Sequence, residues 1–226
     1  MSDAAGIRAV LFDIDSTLLV TGGAGGAAWQ HAFEELYGVE ANVAERTDAG
    51  MTDPEIAAIV FREAVGREGS AEERARAMGA YLRHLPETVA ESSGYRVMPG
   101  VESLLDRLTD AGTLLGLVTG NVEAAAHIKL SRAGLNRFFS FGGYGSDSSD
   151  RTEVTKAALR RAELVSGGTL AADACLAVGD TPRDVHAGHG AGLKVVGVAT
   201  GKYSLEELRA AGADWAIETV EAGFPV

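Results

Sequence analysis

The sequence predicts an α/β fold, a doubly wound parallel sheet with an all-helical domain inserted after the first strand. Short apolar runs of strand length alternate with stretches of helical periodicity, which is the pattern of a parallel sheet covered on both faces. One long interval, residues 20–98, breaks the alternation and reads as helices alone. At 226 residues the chain can bury one sizeable core and carry a small second domain.

In chain order, the first strand is AVLFDI (9–14), inside an apolar stretch that carries two acids, Asp13 and Asp15. The Gly-rich TGGAGG (21–26) reads as one hinge of the insertion and MPG (98–100) as the other. Between them lie three helical stretches: AAWQHAFEELYG, TDPEIAAIVFREAVG and SAEERARAMGAYLRHLPETVA. Capping-box patterns open the second, at Thr52 and Glu55 around Pro54, and the third, at Ser70 and Glu73. The spacing in the third puts Ala75, Met78, Leu82, Leu85 and Val89 on one face. After the insertion, VESLLDRLTDAG has Leu104, Leu105 and Leu108 at helical spacing and Gly112 as a stop. The remaining strands are TLLGLVT (113–119), FFSFGGY (138–144), ACLAVGD (174–180), KVVGVAT (194–200) and WAI (215–217). The expected division is therefore a core of residues 1–19 and 99–226, with 20–98 as a helical cap.

Composition excludes several classes of function. A net charge of -12 argues against nucleic acid and anionic membrane as partners, because both call for a basic face. No apolar run approaches the roughly 18 residues that a membrane span needs. The start, MSDAAGIRAV, does not resemble a signal peptide, so a cytoplasmic location is expected. Cys175, the single cysteine, can form no intramolecular disulfide and reads as a small core residue.

In an open parallel sheet, ligands bind at the carboxyl ends of the strands. Asp13 and Asp15 end the first strand, Thr119, Gly120 and Asn121 the second, and Asp180 the fourth, with Asp184 one turn on. Four carboxylates are thus expected in one crevice. Two unit charges about 4 Å apart repel by roughly 4 kcal/mol at an effective dielectric near 20, so the cluster calls for a cation. Oxygen ligands without a Cys or His pair at metal spacing indicate Mg2+.

Four segments then occur in order: DIDST (13–17), VTGN (118–121), a basic residue within 151–156, and GDTPRD (179–184). On these the chain resembles the haloacid dehalogenase-like hydrolases over essentially its whole length. It looks most like the phosphoglycolate-phosphatase-like branch with a small helical cap on a Rossmann-like core. The resemblance implies a magnesium-dependent phosphatase acting on a small phosphorylated metabolite, as a monomer or small homo-oligomer. It implies Asp13 as the nucleophile that forms an aspartyl-phosphate, and Asp15 as the acid that protonates the leaving oxygen and then activates water. It also implies metal ligation by Asp13, the backbone carbonyl of Asp15, Asp180 and, directly or through water, Asp184. Thr119 and the backbone N–H groups of Gly120 and Asn121 are expected on the phosphate.

Two positions depart from the family pattern. Ser16 stands where glycine is usual, and no Lys-Pro pair exists in SDRTEVTKAALRRA. Arg151, just before the helix, is expected as the basic phosphate ligand, and Lys156, a turn later, as an exposed charge. The segment TDAGMTD (47–53) is expected to set specificity. The resemblance puts arginine where Met51 and Gly26 stand, and its loss weakens recognition of a second carboxylate on the substrate, so phosphoglycolate is one candidate among similar metabolites.

Other patterns are read structurally. Gly23, Gly25 and Ala28 match a dinucleotide fingerprint but no βαβ unit follows; His186 and His189 are expected in surface or packing roles, and Trp29 in the helical core. A phosphonate-cleaving relative needs a cap lysine, and residues 1–128 contain none. A dehalogenase does not need Asp15. A sugar phosphomutase, which calls for a His about ten residues after the acid pair, and a non-catalytic phosphate-binding module remain the alternatives.

Overall fold

The computed structural model describes residues 6–225; residues 1–5 of the start read for a leader lie outside them. In chain order the elements are β1 (Ala9–Phe12), β2 (Leu19–Thr21), α1 (Ala24–Tyr37), α2 (Val43–Arg46), α3 (Asp53–Val60), α4 (Ala71–Glu91), β3 (Tyr95–Val97), α5 (Val101–Asp110), β4 (Leu114–Val118) and α6 (Glu123–Ser131). Then follow β5 (Phe141–Gly143), α7 (Arg151–Ser166), β6 (Cys175–Gly179), α8 (Pro182–Gly190), β7 (Lys194–Val198), α9 (Leu205–Ala210) and β8 (Trp215–Ile217). Among the described residues no helix is long and apolar enough to cross a membrane.

Six strands form one parallel sheet in the order β5-β4-β1-β6-β7-β8. β1 is fully buried because it pairs on both edges, Phe12 with Leu117 on one side and with Val178 on the other. Its alternating side chains feed two separate clusters. Val10, Phe12 and Ile14 pack with Leu105 of α5 and Leu130 of α6; Ala9 and Leu11 pack with Val154 and Ala158 of α7 and Val185 of α8. Burying a side chain such as Leu11 or Phe12 contributes about 1.5–3 kcal/mol. Helices therefore cover both faces, and the sheet is doubly wound as expected.

The chain order of the strands reverses at β1, with later strands on both sides. A crevice opens at such a switch point, beyond the strands' carboxyl ends.

Helices α1 to α4 share their own apolar cluster, built around Trp29, Phe33, Phe61, Tyr81 and Leu85 and reaching Val122 and Ala125 at the start of α6. Trp29 stacks on Tyr81 with ring centroids 4.2 Å apart. That stack sets the rotation of α4. Its buried residues are Ala77, Ala80, Tyr81, Leu85 and Val89, whereas Ala75 is exposed and Met78 and Leu82 are half-buried, a correction to the expected face.

The interval 20–98 is not free of strand. β2 and β3 pair antiparallel across the two junctions of the insertion, Leu19 opposite Val97 and Thr21 opposite Tyr95. Three residues are too few to show a period, so only the pairing reveals them. Beside this ribbon Gly22 and Gly94 touch backbone to backbone, and a Cβ on Gly22 would collide with Gly94. The TGGAGG stretch is correspondingly shorter as a turn than expected, because α1 already begins at Ala24. The sheet strands are likewise shorter than the apolar runs, β1 ending at Phe12 and β4 at Val118, which leaves the acids and Thr119 on loops.

Candidate active site

Asp13 follows β1 directly and is 7% exposed, while the next residue, Ile14, turns into the core. Asp15 then points back toward the crevice, its side chain 44% exposed. The reversal is tight. Ser16 has φ +64°, its N–H donates to the Leu19 carbonyl at 2.8 Å, and its own carbonyl accepts from the Thr200 hydroxyl at 2.5 Å. A left-handed conformation costs a non-glycine residue about 1–2 kcal/mol, which explains why glycine suits this position.

After β6, Asp180 lies 3% exposed and Thr181 caps α8. The cap is reciprocal: the Asp184 N–H donates to the Thr181 hydroxyl oxygen, and the Thr181 N–H donates to the Asp184 carboxylate at 3.1 Å. A carboxylate at the N3 position is what a capping box uses, and here it also turns Asp184 toward the crevice. One oxygen each from Asp13, Asp180 and Asp184 lie within 4.8 Å of one another. The Asp15 side chain is outside this group.

Arg151 reaches the same cluster from the first turn of α7, whose N-cap is Asp150. Its guanidinium donates to Asp13 at 3.3 Å and to Asp184, and it is 7% exposed. Its Nε and Nη1 atoms are buried without a partner. Lys156 instead pairs with Glu153 at 2.9 Å on the outer face of the helix.

In the loop after β4, the Thr119 hydroxyl accepts from the Asn121 N–H at 3.2 Å and from its side-chain amide at 2.7 Å. With its oxygen accepting twice from Asn121, the hydroxyl proton can be directed to a ligand. The Asn121 N–H, expected on phosphate, is thereby already engaged. Gly120 has the cap lying on it: the Asp53 N–H donates to its carbonyl at 2.8 Å, and a Cβ here would collide with the Met51 carbonyl oxygen. Only glycine permits that approach.

The two acids of the opening strand differ in environment. Burial, then the charge of Asp184, pushes Asp13 up to about 7 against the opposing pull of Arg151. Burial and the charges of Asp184 and Asp13 push Asp180 up to about 9. Asp15 goes the other way: burial would raise it, but the Lys129 ammonium and the Asn121 amide hold it below the usual carboxylate range. Raised carboxyls with oxygens this close, buried and surrounded by hard donors, fit a divalent cation.

A stability prediction follows. The folded, metal-free cluster binds protons that the unfolded chain, with ordinary carboxylates, releases at lower pH, so this contribution declines as pH rises through about 7 and toward 9. In chelator, the melting temperature is expected to fall between pH 6 and pH 9, and millimolar magnesium is expected to flatten that slope. A slope unchanged by magnesium would mean that the cluster does not bind it.

Two residues of the crevice have no individual role that the sequence announces. Lys129, 6% exposed on α6, donates to both oxygens of Asp15, at 2.9 and 2.7 Å. Asp53, 4% exposed on α3, accepts from the Val122 N–H at 2.8 Å. The available signal for Lys129 was a charge at helical spacing from Ala125 and Ala126, on what would be an apolar face. Asp53 entered only as the last residue of the segment 47–53 expected to set specificity, with no role of its own. Of the residues read structurally, His186 is exposed, His189 pairs with Asp214 at 3.0 Å, and Trp29 and Cys175 are buried.

The sequence matches the family model described as haloacid dehalogenase-like hydrolase over residues 10–198. The chain belongs to the haloacid dehalogenase-like hydrolase family. Among its curated relatives, the phosphoglycolate phosphatase of Rhodospirillum rubrum is 29% identical over 91% of this chain and 85% of that one. That of Synechococcus elongatus is 32% identical over 55% of this chain and 56% of the relative. A solved structure with the same fold, CbbY from Rhodobacter sphaeroides in complex with phosphate, has a TM-score of 0.76, covers 96% of each chain and is 21% identical. With phosphatases as its relatives, this hydrolase is a phosphatase of the phosphoglycolate-phosphatase-like branch.

Proposed function

We propose that this hydrolase is a magnesium-dependent phosphatase that cleaves a small phosphate monoester through an aspartyl-phosphate on Asp13. The observation that carries the reading is the split of the acid pair. Asp13 lies in the arginine-bearing acid cluster, and Asp15, two residues on, is turned out of it toward the crevice and tied to Lys129 and Asn121. One carboxylate is thus set for the phosphorus and its neighbour for the ester oxygen.

In the first half-reaction an Asp13 oxygen attacks phosphorus, the phosphorus–ester oxygen bond breaks, and the departing oxygen takes a proton from Asp15. In the second, Asp15 removes a proton from water, the water oxygen attacks phosphorus, and the acyl phosphate bond opens to return Asp13 as carboxylate with phosphate released. The Lys129 ion pair favours the basic form of Asp15 that this second step uses, and the first step draws on the less populated protonated form. The unpartnered Nε and Nη1 of Arg151 supply donors for the equatorial phosphate oxygens, together with the Thr119 hydroxyl. Asp13, Asp180 and Asp184 would hold Mg2+, with the Asp15 carbonyl as a further ligand. When bound, the ion neutralises charge on the transferring phosphoryl group.

The leaving group is small. The crevice beneath the cap is a cavity of about 130 Å³, roughly the volume of four waters, walled on the cap side by Ala49, Gly50, Met51 and Ile56. Phosphoglycolate, named for the relatives, is the first ester to test. Lys129 does not offer an amine nucleophile: burial would favour the neutral amine, but Asp15 and Asp53 raise its pKa and keep it an ammonium.

Purified protein is expected to release phosphate from members of a panel of small phosphate esters, to lose that activity in excess chelator and to recover it with magnesium. Full activity in chelator would reject the metal assignment. Isomerisation of a sugar phosphate without phosphate release would reject the phosphatase reading.

A further inference from the structure

Lys129 is a buried ammonium that the two-aspartate chemistry does not itself require. It sits two helical turns beyond Asn121 on α6, and its side chain runs back toward the helix start, as helical side chains do. Its Nζ and the Asn121 amide together engage both oxygens of Asp15, Nζ at 2.9 and 2.7 Å and the amide at 2.8 Å on Oδ2. From the other side, the cap brings Asp53 into the same crevice, where its charge acts on the ammonium without pairing with it. Asp53 is anchored there by the Val122 N–H on its carboxylate and by its own N–H on the Gly120 carbonyl. Asp15, Lys129 and Asp53 all line the crevice.

We propose that Lys129 is a positioning residue for the acid–base carboxylate: its ammonium tethers Asp15 beside the leaving oxygen, and Asp53 completes the charge balance of that tether when α3 rests on the Thr119–Asn121 loop. This rests on the two-aspartate mechanism above. Three features support it. Nζ bridges both carboxylate oxygens and sets their distance, and the Asn121 amide on Oδ2 sets the plane. A buried cation with its partner removed is strongly destabilising, so a lysine buried here depends on its pair with Asp15. Finally, Asp53 belongs to the cap and Lys129 to the core, so the tether is complete only with the cap on the loop.

Leaving-group chemistry distinguishes positioning from binding. An aryl phosphate such as p-nitrophenyl phosphate expels its oxygen without protonation, whereas an alkyl phosphate needs the acid, and both need the base to hydrolyse the intermediate. In Lys129→Met, steady-state turnover of an alkyl phosphate is expected to fall at least 100-fold with KM changed by less than about threefold. The burst of p-nitrophenol, one per enzyme, is expected to stay within about tenfold of the native rate, with phosphoenzyme accumulating behind it. In the Asp15→Asn background, Lys129→Met is expected to cost nothing further in burst rate. That double variant leaves one acid, the buried Asp53, without the ammonium where Lys129→Met leaves two, so it keeps the test available if Lys129→Met alone is poorly folded.

Equal loss of the burst and of alkyl turnover, a raised KM with unchanged kcat, or an additional loss in the Asp15→Asn background would overturn the proposal. If Asp15→Asn itself fails to trap phosphoenzyme, the underlying mechanism is wrong. If it traps and Lys129→Met behaves as the native protein, only the role of Lys129 is wrong.

Discussion

Asp15→Asn is expected to accumulate one covalent phosphate per chain on mixing with an aryl phosphate, and Asp13→Asn none. The two residues are separated by one position, yet the fold gives them different partners. Asp13 faces the guanidinium of Arg151 and the carboxylates of Asp180 and Asp184. An amide at position 13 cannot attack phosphorus usefully and takes an anionic ligand from the cluster, so turnover should drop to background. An amide at position 15 can keep its hydrogen-bonded place, as its oxygen still accepts from Lys129, and leaves Asp13 free to attack. What it loses is the base that activates water, a contribution of about 10²–10⁴ in rate. Formation of the intermediate then outruns its hydrolysis. Mass spectrometry of acid-quenched protein reads the result directly, one added phosphate on Asp15→Asn. Equal labelling of both variants would mean that the roles are wrongly assigned.

Arg151→Ala is expected to lower turnover by two to three orders of magnitude, the range seen when one preorganised donor to a developing oxyanion is removed, about 10²–10³. The residue is buried, it is the basic group on Asp13, and two of its nitrogens are unpartnered. Its removal also leaves Asp13 and Asp184 without their counter-charge, and breaking a buried pair costs about 3–5 kcal/mol. Arg151→Lys separates the two effects: it retains a charge for the acids and loses the fork that grips two phosphate oxygens. It should melt near the native protein and still turn over at least tenfold more slowly. Lys156→Ala should change turnover by less than twofold, because its pair with Glu153 is exposed. Should Lys156→Ala prove the more damaging of the two, the basic ligand would be Lys156.

Much of the crevice was legible in the sequence because its residues sit where strands end. Asp13, Thr119 and Asp180 each close an apolar run, and a parallel sheet brings the ends of its central strands together whatever the connecting helices do. Arg151 was legible for a related reason. A helix N-terminus follows Asp150, and its first residue faces the strand ends.

Lys129, Asp53 and the β2–β3 ribbon were not legible. A lysine among alanines in a helix reads as an exposed charge until the cap's apolar cluster is known to cover Val122 and Ala125 of that helix. Asp53 was only the end of the segment 47–53 expected to set specificity, and its carboxylate gained a particular task when α3 lay across the start of α6. The ribbon pairs residues on either side of an inserted domain, and such a contact has no local pattern at all. The sequence by itself determined the sheet, the acid pair and the ordered motifs, because period, strand ends and residue chemistry are local properties. Only the tertiary structure decided which cation holds Asp15, which residues of the cap close on the loop and how α4 is rotated. Those depend on which faces of distant segments meet, and the burial of a charge is a property of the meeting and not of either segment.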